Sequence, residues 1–202
     1  MVLATKITGT LWAWGENQYG QLGDGTFINK TTPVIVSSGN WKTIDASIGH
    51  HCFAIDIAGN LWGWGRNNYY QLGDGSNIDK NSITLISSSG DWKLVKGGWE
   101  HTTAIKNNGS LLSWGRNQLG QLGNSYATAL IPAMVGTDLQ WDQLSTGANF
   151  SIATKQDGSL WLWGNNNHGQ LGNGTTISSA VPFQLVGANN WHTILAGYEH
   201  AL

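Results

Sequence analysis

The sequence predicts an all-β chain made of four copies of one four-stranded antiparallel sheet, set around an axis as the blades of a β-propeller. Two observations carry this. A Trp-Gly dipeptide recurs at Trp14, Trp64, Trp114 and Trp163, and a Gln-Leu-Gly tripeptide follows each from Gln21, Gln71, Gln121 and Gln170. Both series step by 50, 50 and 49 residues. A fixed period of this length marks units that cannot bury their apolar faces alone and must lie against like neighbours. The second observation is local: short apolar runs stop at Gly or Asn-Gly, and no helical periodicity appears.

The unit at residues 92–135 shows each element in order. A short apolar-rich run at 92–96 stops at Gly97-Gly98 and predicts the first strand. Residues 101–106 predict the second, ending at Asn107-Asn108-Gly109, a hairpin turn signal. Residues 110–114 predict the third, closed by Gly115; a polar, Gly-rich loop follows, and 131–135 predict the fourth. In the third strand of two other units, Trp12 with Trp14 and Trp161 with Trp163 alternate at period two, so both indoles share a face. The opposite face is small or aliphatic, as expected of a sheet covered on both sides. Pro33, Pro132 and Pro182 all fall in the fourth strand, which predicts an edge position.

Composition narrows the functional classes. The net charge is −2, with 10 Lys and Arg that never cluster, so no basic stripe for nucleic acid can be drawn. The start of the chain lacks a leader pattern and no run approaches the roughly 18 apolar residues of a membrane span, so a soluble chain of open compartment is expected. The single cysteine, Cys52, sits in a strand interior and reads as a small buried hydrophobe. Against 28 Gly stand 12 Trp, eleven of them at repeat-periodic positions, which reads first as core.

The stretch Gly9-Thr-Leu-Trp-Ala-Trp-Gly-Glu-Asn-Gln-Tyr-Gly-Gln-Leu-Gly-Asp-Gly resembles the repeat of the regulator of chromosome condensation family, and Trp191-His-Thr-Ile-Leu-Ala-Gly-Tyr-Glu-His resembles the remainder of that repeat. The resemblance covers all four units. It implies a propeller, usually of seven blades. Some bacterial members resemble bare propellers that inhibit β-lactamases through aromatic loop residues; others are exchange factors for a small GTPase, with insertions and basic tails that this chain lacks.

The chain reads as a single repeat domain over 1–202, with repeats at about 9–58, 59–108, 109–157 and 158–202, and residues 1–8 completing the blade begun at 191–202. Three assemblies fit. Four blades closing alone would each turn about 90°, and two chains head to tail would give eight blades at about 45°, near the roughly 51° of a seven-bladed ring. The third is a piece of a longer propeller. The expected assembly is the eight-bladed, head-to-tail homodimer.

For function, the unit-to-unit comparison separates scaffold from freedom. Trp-Gly-x-Asn and Gln-Leu-Gly barely change, so they read as turn chemistry and packing, including the variable x at Glu16, Arg66, Arg116 and Asn165. Asp24 and Asp74 are replaced by Asn124 and Asn173 in the other units, so no metal site is expected. His51, His101 and His200 are equivalent and Phe150 takes the fourth place, which fits structure rather than catalysis. No catalytic residue and no cofactor is assigned, and the chain is expected not to be an enzyme.

Two connections vary strongly, between strands one and two and after strand three. In an antiparallel blade both emerge on one face. That face is expected to carry His50, Trp99, Glu100, Tyr198, Glu199, Tyr19, Tyr69, Tyr70 and His168. Such aromatic, mixed surfaces bind proteins, so the expectation is a non-catalytic scaffold with a protein partner. The alternatives are a carbohydrate-binding propeller, which would want equivalent pockets in each unit, and a partnerless structural fragment that self-assembles.

Overall fold

The computed structural model describes residues 1–186 and 191–201. Residues 187–190 and 202, which fall within the expected fourth repeat, lie outside the described residues. The described chain is all strand and turn, as an all-β propeller. The first sheet holds β1 (Val2–Thr5), β2 (Leu11–Gly15) and β3 (Lys30–Ser37). The second holds β4 (Trp41–Ala46), β5 (His51–Asp56), β6 (Leu61–Gly65) and β7 (Lys80–Ser87). The third runs β8 (Trp92–Gly97), β9 (His101–Lys106), β10 (Leu111–Arg116) and β11 (Thr128–Met134). The fourth runs β12 (Trp141–Thr146), β13 (Phe150–Lys155), β14 (Leu160–Gly164) and β15 (Ser179–Gln184).

Each sheet is a simple antiparallel meander in chain order, four-stranded in the last three and three-stranded in the first. Pro33, Pro132 and Pro182 lie inside the outer strands β3, β11 and β15, at the sheet edge where a missing N–H costs no ladder bond. The outer strand of the third blade starts at Thr128, earlier than the apolar run at 131–135 indicates. Its pairing with β10 crosses a bulge that leaves Leu130, Ile131 and Pro132 out of the ladder, with Ala129 and Thr128 paired beyond it.

That bulge recurs and explains the Trp-Gly dipeptide. The third-to-fourth-strand register slips between Ala13 and Gly15, Gly63 and Gly65, Ser113 and Gly115, and Leu162 and Gly164. The residue left out of the ladder each time is the tryptophan. The glycine beside it has φ between 96° and 105°, which side chains rarely adopt. The bulge releases the indole from its own sheet, and it crosses to the preceding blade. Nε1–H of Trp64, Trp114 and Trp163 donates to the main-chain carbonyls of Gln21, Gln71 and Gln121 at 2.9–3.0 Å.

The Gln-Leu-Gly tripeptide is the other half of this joint. Leu22, Leu72, Leu122 and Leu171 are fully buried. An added Cβ at Gly73, where φ is +75°, would lie 2.7 Å from the Trp114 ring. The Gln side chains cap their own loops, Oε1 of Gln21, Gln71 and Gln121 accepting the N–H of Tyr19, Tyr69 and Leu119 at 2.7–2.9 Å. The Asn of Trp-Gly-x-Asn staples the long loop: Asn67 Oδ1 accepts from Leu72 N–H at 2.9 Å while its Nδ2 donates to the Ser76 and Ile78 carbonyls.

A buried polar line joins neighbouring blades beneath the loops. Thr102 Oγ1–H donates to the Gln71 carbonyl at 2.7 Å, so the hydroxyl accepts from His51 Nε2–H at 3.1 Å. Ser151 does the same between the Gln121 carbonyl and His101 Nε2. Both histidines are fully buried, and that burial lowers each pKa to about 3. These bonds set the blades in register and so fix the loops above them.

Candidate protein-binding face

The connections β4–β5 and β8–β9, together with residues 197–199, meet the long loops that follow the third strands: His50 contacts Glu16 and Tyr19, Glu100 contacts Arg66 and Arg116, and Glu199 contacts His168. Trp99 N–H donates to the Ala148 carbonyl and Ala148 N–H to the Tyr198 carbonyl, both at 2.9 Å, so the main chain itself ties these loops into a row. Their side chains form a line of rings. Tyr19 meets His50 at 5.4 Å between centroids, His50 meets Trp99 edge-on at 6.0 Å, and Trp99 meets Tyr198 edge-on at 5.5 Å. Edge-on pairs at these separations are favourable and leave the outward ring faces open. Tyr198 is 50% exposed, while Tyr19, His50 and Trp99 are half-buried.

The remaining expected residues fall into two groups. Glu100 lies beneath the face rather than on it: it is buried, 5% exposed, and held between Arg66 at 3.3 Å and Arg116. A carboxylate taken from water needs such partners. The guanidinium of Arg66 stands 5.4 Å from the Tyr19 ring and 5.9 Å from Tyr69, and that of Arg116 stands 4.8 Å from Tyr69. Two cations thus stand within 6 Å of the Tyr69 ring. Separately, exposed His168 faces Glu199 at 3.7 Å, a solvent-screened contact worth little by itself.

Tyr70 and His50 share a further property. Both have φ of 62°, and among the described residues they are the two non-glycine positions with left-handed backbone. Tyr70 stands where the other units place Gly20, Gly120 and Gly169, each with positive φ. A side chain there costs roughly 1–2 kcal/mol. Tyr70→Gly is therefore expected to raise the unfolding free energy by about 1 kcal/mol, read as a melting temperature a few degrees higher. An unchanged or lower melt means that the ring's packing outweighs the backbone strain.

Between Trp99 and Tyr198 the face dips into a cavity of about 410 Å³ lined by Glu100, Arg116, Gln118 and Asn149. Arg66 and Arg116 are the members of this face that the sequence reading placed in the scaffold. They sit at the variable x of Trp-Gly-x-Asn, and variation inside an otherwise fixed motif was the available signal. Glu16, at the same x, pairs with His50 at 3.4 Å. Asp24 and Asp74 are taken up in loop-stapling bonds with Asn17 and Lys30, and with Asn67 and Lys80.

Sheet order, bulged Trp-Gly joints and a one-sided loop face define a β-propeller of tandem repeats. The Regulator of chromosome condensation (RCC1) repeat matches residues 8–55, 58–105 and 157–202, and a second form of that repeat matches 92–121 and 141–170. The chain belongs to the RCC1 repeat family. No curated protein sequence matches it significantly. Among solved structures, it is similar to human WBSCR16, with a TM-score of 0.88 and 22% identity over 98% of this chain and 54% of that one. It is also similar to Prp20p from Saccharomyces cerevisiae, described with its binding to Gsp1p and histones, at a TM-score of 0.84 and 21% identity over 98% and 52%. The complex of Kap60 with yeast RCC1 (Prp20) gives 0.81 and 21% over 98% and 50%. The chain thus spans about half the length of these propellers, and identities this low establish the fold alone.

Proposed function

We propose that this chain is a non-catalytic binding module that takes a protein partner on the face around Trp99, Tyr198, Tyr19 and Tyr69. The observation that carries the reading is backbone strain: His50 and Tyr70, the two left-handed non-glycine positions among the described residues, fall in the β4–β5 connection and in the loop after β6, which the proposed face comprises. Backbone strain persists where the surroundings enforce it and gathers at functional surfaces. The partly exposed aromatic and arginine side chains around them, with exposed Tyr198, are of the residue types that dominate protein interfaces. The protein partners of yeast Prp20p are consistent with such a use of the fold.

Trp99→Ala combined with Tyr198→Ala is the test. Loss of a partner captured by the wild-type chain, with a melting temperature within a few degrees of wild type, is expected. A large drop in the melt places these rings in the core and removes the reading. The lining of the cavity beside Trp99, two aromatic rings with amides and a carboxylate, favours carbohydrate as the second reading. A glycan array with specific hits that vanish in the same variant would decide for it.

We also propose that two copies complete the propeller head to tail as an eight-bladed ring. The support is curvature: the four units superpose on half of propellers about twice as long, as a ring of four cannot. A native mass of monomer alone removes this reading.

A further inference from the structure

One position per unit, equivalent by strand register, departs from the rest in charge. It follows the pairs Thr5↔Leu11, Ile55↔Leu61, Ile105↔Leu111 and Thr154↔Leu160, and it is Lys6, Asp56, Lys106 and Lys155 in turn. Each of the three lysines places its ammonium over an indole of its own blade. Lys6 Nζ stands 4.3 Å from the centroid of Trp12 and Lys106 Nζ 4.8 Å from that of Trp92. Lys155 Nζ stands over two rings, 5.0 Å from Trp141 and 4.0 Å from Trp161. Two of these lysines also meet a carboxylate, Lys106 that of Asp91 at 3.1 Å and Lys155 that of Asp138. An ammonium set between indole faces and a carboxylate is thus a device that the chain repeats.

The second unit keeps the rings and reverses the charge. Trp41 and Trp62 stand edge-on at 6.1 Å and 87°, as Trp141 and Trp161 do at 5.9 Å and 75°. Both Trp41 and Trp62 are partly exposed, and among the described residues no lysine or arginine stands over either ring. Asp56 Oδ2 accepts from Trp62 Nε1–H and from Asn60 Nδ2–H, both at 3.0 Å, and Oδ1 accepts from Asn60 N–H at 2.9 Å. Burial pushes the Asp56 carboxyl up, but the bonds from Trp62 and Asn60 outweigh it and hold the pKa below the usual carboxylate value. Among the described residues this carboxylate has no cationic partner. Asp56 also caps the β5–β6 turn, where Ala58 lacks the acceptor that Asn108 and Asp157 supply in other units. An asparagine would cap that turn as well, so capping leaves the charge unexplained. The rings and the carboxylate wall a cavity of about 530 Å³, lined also by Val36, Asn40, Ile57 and Ile83. It lies at the strand ends away from the candidate face, since Trp41 begins β4 and His50 follows the other end of that strand.

We propose that this cavity binds the ε-ammonium of a lysine side chain on a protein partner, seated over Trp41 and Trp62 against Asp56 as Lys155 seats its own over Trp141 and Trp161. The assignment is independent of the one made for the loop face. Charge gives the sign of the ligand: the unit brings a carboxylate where the others bring an ammonium, so the cation comes from outside the chain. A primary ammonium fits because it both lies on the rings and donates to the carboxylate, as Lys106 does to Asp91. The size of the cavity points to a lysine within a chain, since a four-carbon stem and its ammonium leave room for flanking residues. The third unit has Leu112 where Trp62 stands, and the fourth fills the corner with Lys155, so among the described residues the site is present once.

The experiment is a titration of the full chain with the capped peptide acetyl-Gly-Lys-Gly-amide, followed on the indole N–H resonances in nitrogen-correlated NMR spectra. Saturable shifts of the Trp41 and Trp62 resonances are expected. The same peptide acetylated at Nε, which keeps the stem and loses the charge, is expected to give none. Trp62→Leu, which copies Leu112, should weaken binding by about tenfold or more. Asp56→Lys with Ala58→Asp, which copies the fourth unit and restores the turn acceptor, should do the same, and Trp161→Leu should leave binding unchanged. The indole resonances outside the site report whether each variant keeps the fold. No saturable shift at tens of millimolar, equal shifts with the acetylated peptide, or undiminished binding by the folded Asp56→Lys, Ala58→Asp variant overturns the site. Butylammonium binding as tightly as the peptide overturns the assignment to a lysine within a chain.

Discussion

Trp114→Ala is expected to lower the unfolding free energy by about 3–5 kcal/mol, the range for removing a large buried aromatic side chain. The indole is fully buried, packs edge-on against Phe53 and Trp92, and makes its hydrogen bond across the junction. Its removal opens a cavity between two blades and leaves the Gln71 carbonyl with Thr102 as its remaining side-chain donor. Gly73→Ala attacks the same joint from the other side. Its Cβ would meet the ring at 2.7 Å on a left-handed backbone, for an expected loss of about 2–4 kcal/mol. The two losses should not add. Once the ring is gone the Cβ has room, so only the backbone strain of Gly73→Ala remains in the double variant. Denaturant melts of the four proteins of this cycle measure the coupling, and strict additivity would mean that the two residues do not share a joint.

Acid is expected to unfold the chain through His51 and His101. In the native state burial holds both neutral until about pH 3, while in the unfolded chain each takes up a proton near pH 6.5. Between those values the unfolded state binds more protons, so stability falls as the pH falls and is constant in this respect above about pH 7. The slope approaches about 1.4 kcal/mol per pH unit for each histidine. His101 has the clearer physical cause: its Nε2–H is engaged by Ser151, and its Nδ1 has no partner to receive a second proton's hydrogen bond. The window from pH 6.5 to about 4.5 isolates this effect. Asp24, Asp56, Asp74 and Asp91 hold lowered pKa values through hydrogen bonds and ion pairs, and they destabilise the fold only at lower pH. His101→Phe, which copies Phe150 at the equivalent position, should halve the slope. An unchanged slope would assign the acid sensitivity to other groups.

Much of the architecture was readable from spacing, because a repeat states its period openly and strand, turn and edge-proline signals are local. What Trp-Gly and Gln-Leu-Gly do for one another was not readable. They are close in sequence within one unit, yet Trp64, Trp114 and Trp163 engage the tripeptide of the preceding unit, more than 40 residues back. Nor does local pattern show the bulge that frees the indole, since it lies in pairing with the outer strand. The loop-face aromatics were visible as variable positions, but the ion-paired base under them was not. Glu100 looks like any surface carboxylate until Arg66 and Arg116 are seen to converge on it from two different blades.

The tryptophan joint is also unequal in its exposure to mutation. On one side stands an indole, which a single base change can erase. On the other stands a peptide oxygen, which every residue possesses and no substitution can delete. Half of each connection between units is thus written in the main chain and is beyond the reach of genetic drift. Units of this kind can be duplicated, lost or exchanged, and an incoming copy needs only to bring its tryptophan to find an acceptor already in place.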